Sequence, residues 1–442
     1  MAEPGLRREL RLRDLVLLNV SAIVGVRWLS AAAHAGTGSI TLWILAALFF
    51  FLPSALVVAS LSKLFPEEGG LYIWTKAAFG DWHGFLCAWF YFLGNLIYFP
   101  TLLLAGAAMS SYVFGPAGAK LAESRAYTLP VTLVALWAAF LINFFGLKAG
   151  KWAANFGAVC TYAIFLMLLG FGAWSWWRSG SASRFNLIPD ASFNNLNFWS
   201  QIAFAYVGLE LGAILSGEIY QPEKTVPRAA WISGIACAAF YILGTSALLL
   251  LVPPETVSVV TGLAQAGSAA GQRLGIAWLS PLFALLIALG IGGQTSSFVA
   301  GNTRLPFVIG LDRYLPPVFA KLHPRWHTPY ASILFQGAIA CAFLLAAQLG
   351  ETLRAAYQTL VDMCVITTFI PFVYIFAAAF KFGQRWAGAS GLAVSLLAIV
   401  LSALPPPEVA SGWIFELKIV GGCLLLGYLG WLTFTRSKAA FA

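Results

Sequence analysis

Two ionisable residues stand where water is scarce. The run Phe204-Ala-Tyr206-Val-Gly208-Leu-Glu210-Leu-Gly212 sets a carboxylate between glycines in an apolar stretch of about membrane-spanning length. Near the start of the chain, Gly25-Val26-Arg27-Trp28 does the same with a guanidinium. A charge at the centre of a membrane helix costs about 2.5 to 3.5 kcal/mol on insertion scales, so it faces a cavity or a partner and marks a path for substrate or protons. Glycines beside it let the helix open and free backbone groups for a ligand. The chemistry on offer is charge recognition. Glu210 can meet an amine, Arg27 can hold a carboxylate by two-point contact, or the two can pair with each other. Other polar groups lie in apolar stretches. Asp362 reads as a proton relay or as a partner for a base or backbone group. Asn95, with Tyr98, lines a cavity or ties two helices together. Thr295, Ser296 and Ser297 are hydroxyl ligands for a cation or interhelical glue. His34 reads as an interfacial hydrogen-bonding group, and Phe204, Tyr206 and Trp28 as aromatic gates or cavity walls.

The elements that position these residues must use lipid as solvent. The chain has 442 residues, 60% of them hydrophobic and 10% charged, with a mean hydropathy of +0.82. A water-soluble globule could not hide that much apolar surface. A spanning helix takes about 20 mainly apolar residues, and twelve such spans are predicted. They cover 15–38, 40–62, 83–115, 127–147, 152–177, 197–217, 229–252, 275–302, 329–348, 355–380, 386–404 and 413–435. The first is too long for a signal-peptide core and has no small-residue cleavage pattern, so it is expected to stay as a helix. Threading the spans puts eighteen Lys and Arg on the face of the N-terminus and seven on the other; with Arg27 these account for all 26. Both termini are therefore expected in the cytoplasm. The net charge of +9 then reflects topology and anionic lipid, and calls for no nucleic acid.

The same sequence argues against other classes. Cys87, Cys160, Cys237, Cys341, Cys364 and Cys423 all fall in apolar spans with no Cys-x-x-Cys pair, so they read as small core residues and not as metal ligands or disulfides. There is no Gly-x-x-x-x-Gly-Lys-Ser/Thr for ATP. No nucleophile elbow, His-rich metal set or close acid pair points to an enzyme. The connecting segments leave no room for a soluble domain of useful size.

Arg27 and Glu210 lie near the middle of the first and sixth spans, five helices apart, as an inverted five-helix repeat with two broken helices would place them. Here the residues resemble a known family. Ala203 to Glu210, continuing through Gly217-Glu218-Ile-Tyr-Gln-Pro222-Glu-Lys224-Thr-Val-Pro227-Arg228, is similar to the sixth helix and following loop of the amino acid-polyamine-organocation (APC) transporters. Pro66-Glu67-Glu68-Gly69-Gly70-Leu-Tyr72-Ile-Trp74 resembles their loop after helix two. Gly301-Asn-Thr-Arg304 through Asp312-Arg313-Tyr-Leu-Pro316 resembles the segment after helix eight.

The resemblance implies an all-α polytopic membrane protein with a 5+5 inverted-repeat core. Broken helices one and six would hold an amino acid or amine during alternating access. The chain would be a single transmembrane domain over 1–442, with repeats at 15–177 and 197–380 and two added helices at 386–435. Gly25, Val26, Arg27, Trp28, Asn95, Phe204, Tyr206, Gly208 and Glu210 would line the substrate site. Thr295, Ser296, Ser297 and Asp362 would serve coupling by H+ or Na+, unless an exchanged counter-substrate replaces the ion. Glu67, Glu68, Arg304 and Asp312 would close the cytoplasmic face through ion pairs. No other cofactor is implied, and the assembly would be a monomer or homodimer in a bacterial inner membrane.

The chain departs from the family at two points. The family's helix one commonly has a second glycine where Arg27 stands, which favours anionic amino acids over polyamines. The lysine that some proton-coupled relatives carry in helix five is missing between Lys151 and Trp174. An amine permease and a non-transporting sensor on the same fold are the alternatives.

Overall fold

The computed structural model describes residues 8–189, 193–347, 353–404 and 412–441, with backbone alone at 116–117, 193–197, 311, 346–347, 353–360, 414, 418 and 438–441. Arg7, counted with the basic face, and the side chains of Arg354, Lys418 and Lys438 lie outside these.

The first span is α1 (Leu12–Ile23) and α2 (Arg27–His34), bent by 42° at Val24-Gly25-Val26. There follow α3 (Ser39–Leu64), a short α4 (Leu71–Phe79), α5 (Asp81–Ser110), α6 (Arg125–Phe144) and α7 (Leu147–Ser179). The sixth span is again split, into α8 (Phe193–Ala205) and α9 (Glu210–Ile214). The second half continues with α10 (Pro222–Leu251), α11 (Gly262–Leu274), α12 (Leu279–Asn302), α13 (Arg304–Leu311), α14 (Tyr330–Ala347) and α15 (Leu353–Lys381). Last come α16 (Arg385–Ala403), α17 (Gly412–Glu416) and α18 (Gly422–Phe441). Among the described residues, nine helices are long and apolar enough to cross a bilayer, and the bent first pair makes ten. The split sixth span and the shorter apolar α14 match the remaining two expected spans.

Local chemistry sets the breaks. Gly208 has φ +139, a conformation that side chains with a Cβ rarely adopt, and a Cβ there would lie 2.8 Å from Ile23 Cγ1. The two unwound segments therefore touch. At Gly25 a Cβ would come within 2.6 Å of Trp28 Cδ1. Elsewhere small residues let helices close on one another. A Cβ at either Gly157 of α7 or Gly293 of α12 would lie 2.5 Å from the other glycine's Cα, the small-residue packing that replaces hydrophobic drive between membrane helices. Val134, Leu166, Ile235, Leu396 and Leu424 are exposed, as lipid-facing residues should be.

The connections sort to two ends. At one end Leu10 bridges Ile219, Gly69 N–H donates to Ile214 O at 3.1 Å, and Lys151 meets Asp14 at 3.4 Å. At the other, Asn186 N–H donates to Thr37 Oγ1 at 3.0 Å and His34 Nδ1 lies 2.8 Å from Val257 O. The segments counted as basic from the sequence gather at the first end.

Candidate functional site

Breaking a helix leaves N–H and C=O groups that need partners. At the first break α1 presents carbonyls and α2 begins with Arg27 as its first residue. A helix N-terminus carries positive potential, so the guanidinium and the dipole of α2 reinforce each other. At the second break α9 begins with Glu210, whose carboxylate accepts from Gly208 N–H at 3.1 Å and from Tyr91 O–H at 2.7 Å. The two breaks therefore carry opposite charge, both buried.

Between them lies a small cavity lined by Ile23, Trp28, Tyr91, Asn95, Tyr98, Phe204, Ala205, Val207, Phe298 and Thr368. The Arg27 guanidinium stacks over two of its aromatic walls, 4.3 Å from the Trp28 ring centroid and 5.0 Å from that of Tyr98. Such cation–π contacts contribute about 0.5 to 2 kcal/mol each, most when desolvated. Phe204 meets Trp28 and Tyr98 edge-on, with centroids 5.8 Å apart in both cases. Asp362 is buried too, and Arg27 and Asp362 both lie within electrostatic range of Cys364.

Of the residues expected in the site, Trp28, Asn95 and Phe204 line the cavity. Gly25, Val26 and Gly208 form the breaks behind it, and Glu210 reaches it through the Tyr91 hydroxyl. Tyr206 stands elsewhere. It packs among Trp43, Phe51 and Tyr241 with its hydroxyl 3.4 Å from Trp43 O, because side chains two residues apart on a helical turn point to opposite sides. The Glu210 carboxylate oxygens accept from the Tyr91 hydroxyl and the Gly208 amide. Asn95 donates to Tyr91 O at 2.9 Å.

Two residues not singled out from the sequence satisfy the first break. Gln294 of α12 donates Nε2–H to Ala22 O at 2.6 Å. Tyr241 of α10 accepts from Gly25 N–H at 3.0 Å, and its oxygen lies 2.6 Å from Ile23 O and 3.0 Å from Ala205 O. A polar side chain in mid-span is the signal that could have found both. The hydroxyls expected to serve coupling are otherwise engaged. Thr295 and Ser297 donate to the carbonyls four residues back, at 2.8 and 3.1 Å, and Ser296 donates to Gly150 O at 3.2 Å and accepts from Asn143 at 2.9 Å.

At the basic end, Arg304 finds its acid in Glu218, with Nε–Oε2 2.8 Å and Nη2–Oε1 3.0 Å, both side chains buried. Glu68 joins them, accepting from Gly217 N–H at 2.5 Å. Burial, and then the nearby Glu218 carboxylate, push the Glu68 carboxyl well above the usual range, against the opposing pull of Arg304 and the Gly217 amide. Asp312 belongs to a separate cluster, accepting from Lys76 at 2.6 Å and from the Tyr72 hydroxyl, while Glu67 is exposed. Of the charges expected to pair at this end, Arg304 is bonded to Glu218, Glu68 lies beside that pair, Asp312 is bonded to Lys76, and Glu67 faces outward.

Known proteins share this organisation. A sequence model described as amino acid permease matches residues 10–415. An uncharacterised transporter of Legionella pneumophila is 28% identical over 96% of both chains. The serine/threonine exchanger SteT of Bacillus subtilis is 26% identical over 87% of this chain and 85% of its own. The probable agmatine/putrescine antiporter AguD of Lactococcus lactis is 23% identical over 95% of this chain and 93% of its own. With two broken helices at a buried, charged cavity and a family match over nearly its whole length, the chain belongs to the amino acid permeases of the APC superfamily, as a multi-pass membrane transporter of amino acids or amines and not an enzyme.

Proposed function

We infer that this transporter exchanges amino acids across a bacterial inner membrane by alternating access, with both termini in the cytoplasm and a preference for substrates carrying an extra carboxylate. One observation carries the preference: Arg27, buried at the N-terminus of α2, stacks on the walls of the cavity between the two breaks. A guanidinium added to the positive end of a helix dipole favours an anion in that place. Exchange is supported by the relatives named as a serine/threonine exchanger and a probable antiporter. The basic end and the bacterial relatives support the orientation and the membrane.

A second reading has its own support. Glu210 stands one hydroxyl from the cavity, and a carboxylate there suits an amine, as the name of the Lactococcus relative would suggest. Purified protein in liposomes, loaded in turn with L-glutamate, L-aspartate, L-serine, L-threonine, agmatine and putrescine, separates the two by radiolabel exchange. Fastest exchange of the acidic amino acids, weakened selectively in Arg27→Ala, is the expected result. Fastest exchange of agmatine or putrescine would replace it with the amine reading.

A further inference from the structure

We propose that Tyr241 is the interlock between the two broken helices: its one hydroxyl ties the half-helix that reaches the basic end to the half-helix that reaches the opposite end, so that only one can open at a time. The inference rests on the exchange reading above and adds to it a positioning residue that touches no substrate. Ile23 is the last residue of α1 and Ala205 the last of α8. Both carbonyls lie at helix C-termini, where negative potential gathers, and both point at the Tyr241 oxygen, at 2.6 and 3.0 Å.

A phenol has one proton to donate. Here it accepts from Gly25 N–H at 3.0 Å, and its proton has two carbonyls to choose between. Gly25 N–H also lies 2.8 Å from Ile23 O, so Ile23 keeps a donor when the proton turns to Ala205. If α1 swings out, the hydroxyl goes wholly to Ala205 and α8 stays tied. If α8 swings out, it goes wholly to Ile23 and α1 stays tied. Releasing both would strand a buried carbonyl and the phenol together, which is costly in a dry interior. The ring cannot follow either helix. It is fully buried and stacks on Trp43 at 4.2 Å between centroids and 5° between planes, and Trp43 is itself held by Thr245 at 3.0 Å, one turn further along α10.

Tyr241→Phe removes the hydroxyl and keeps the stack. It is compared with wild type in liposomes, using whichever of the six compounds above the wild type exchanges fastest. The readout is the ratio of counter-substrate-dependent exchange to net efflux into substrate-free buffer. The ratio is expected to fall about tenfold, with half-saturation within about threefold of wild type, because a lost tie opens a leak without touching the cavity. A folded variant with an unchanged ratio overturns the interlock, and so does one whose half-saturation rises while the ratio holds. If the variant does not fold, amide hydrogen exchange of wild type decides. Segments 20–27 and 202–209 must shift in opposite senses when the substrate is added, and independent or parallel shifts overturn the proposal. A wild type that exchanges none of the six rejects the exchange reading with these substrates, before the variant is made.

Discussion

At the residue scale, the proposed recognition divides between Arg27 and Glu210 by sign. Arg27 is planar, and it stacks on Trp28 and Tyr98. Arg27→Lys keeps the charge and loses the plane and the fork. The expected outcome is a rise in half-saturation for acidic substrates of about ten- to a hundredfold, the equivalent of about 1.5 to 3 kcal/mol for a charge-assisted contact. An unchanged half-saturation for acidic amino acids in a folded Arg27→Lys would count against recognition by the guanidinium. Glu210 is a different case, since its oxygens serve two donors, Tyr91 O–H and Gly208 N–H. Glu210→Gln has only one carbonyl oxygen to offer. The Gly208 N–H cannot turn, so the amide must give its oxygen there and its NH2 to Tyr91, whose proton then needs a new acceptor. Exchange slowed by about tenfold or more is expected at normal protein abundance. Wild-type turnover in Glu210→Gln would remove any role for the charge.

Elements carry the next layer, because each break holds only if its glycine does. Gly208 is bound twice, by φ +139 and by Ile23 Cγ1 at 2.8 Å from where a Cβ would stand. Gly208→Ala must either re-wind the turn or push the two unwound segments apart, a strain of about 1 to 3 kcal/mol. A lower melting temperature together with slowed exchange is expected. Gly212 is the internal comparison. A Cβ there would lie 3.1 Å from Leu15 Cδ1, the end of a flexible side chain, in ordinary helical backbone. Gly212→Ala should therefore be the milder of the two by thermal melting. If the two alanines cost the same, the break at Gly208 is not what the strain argument claims.

On the scale of the whole molecule, the basic end is held by groups from separate parts of the chain. Glu68 precedes α4, Gly217 and Glu218 follow α9, and Arg304 opens α13. Two carboxylates share one guanidinium, and Arg304 binds Glu218 with two hydrogen bonds, so the neutral form of Glu68 suits the closed end. Its carboxyl is raised in the folded protein by burial and by Glu218. The stabilisation it gives is therefore complete in acid, below its unfolded value, and is lost as pH rises through the raised folded value. The thermal midpoint of wild type is expected to fall over that rise. Glu68→Gln imitates the neutral form and should flatten the dependence. A slope that survives in Glu68→Gln would place the titration on another group. Breaking the buried pair by Glu218→Gln leaves Arg304 without its counter-charge and should cost about 3 to 5 kcal/mol, read as a large drop in melting temperature.

The sequence by itself determined the solvent, the spans and the two breaks. Those properties are local: twenty apolar residues make a membrane helix wherever they occur, and Gly25 and Gly208 mark their own openings. It also picked out Trp28, Asn95 and Phe204, which line the cavity, and Arg304, which is paired with an acid of another loop. What only the tertiary structure decided is who faces whom. Tyr206 is two residues from Phe204 and belongs to a different cluster, since side chains two apart on a helical turn point to opposite sides and only the fold decides which side meets the cavity. Glu210 took Tyr91 and Gly208, and Arg304 took Glu218 while Asp312 went to Lys76. Tyr241 and Gln294 gave no warning of their partners, which lie 216 to 218 and 272 residues away along the chain for the first break. In an apolar bundle every buried polar group must find a mate, but the helix rotation that supplies the mate is fixed by packing of the whole molecule, and no window of sequence contains it.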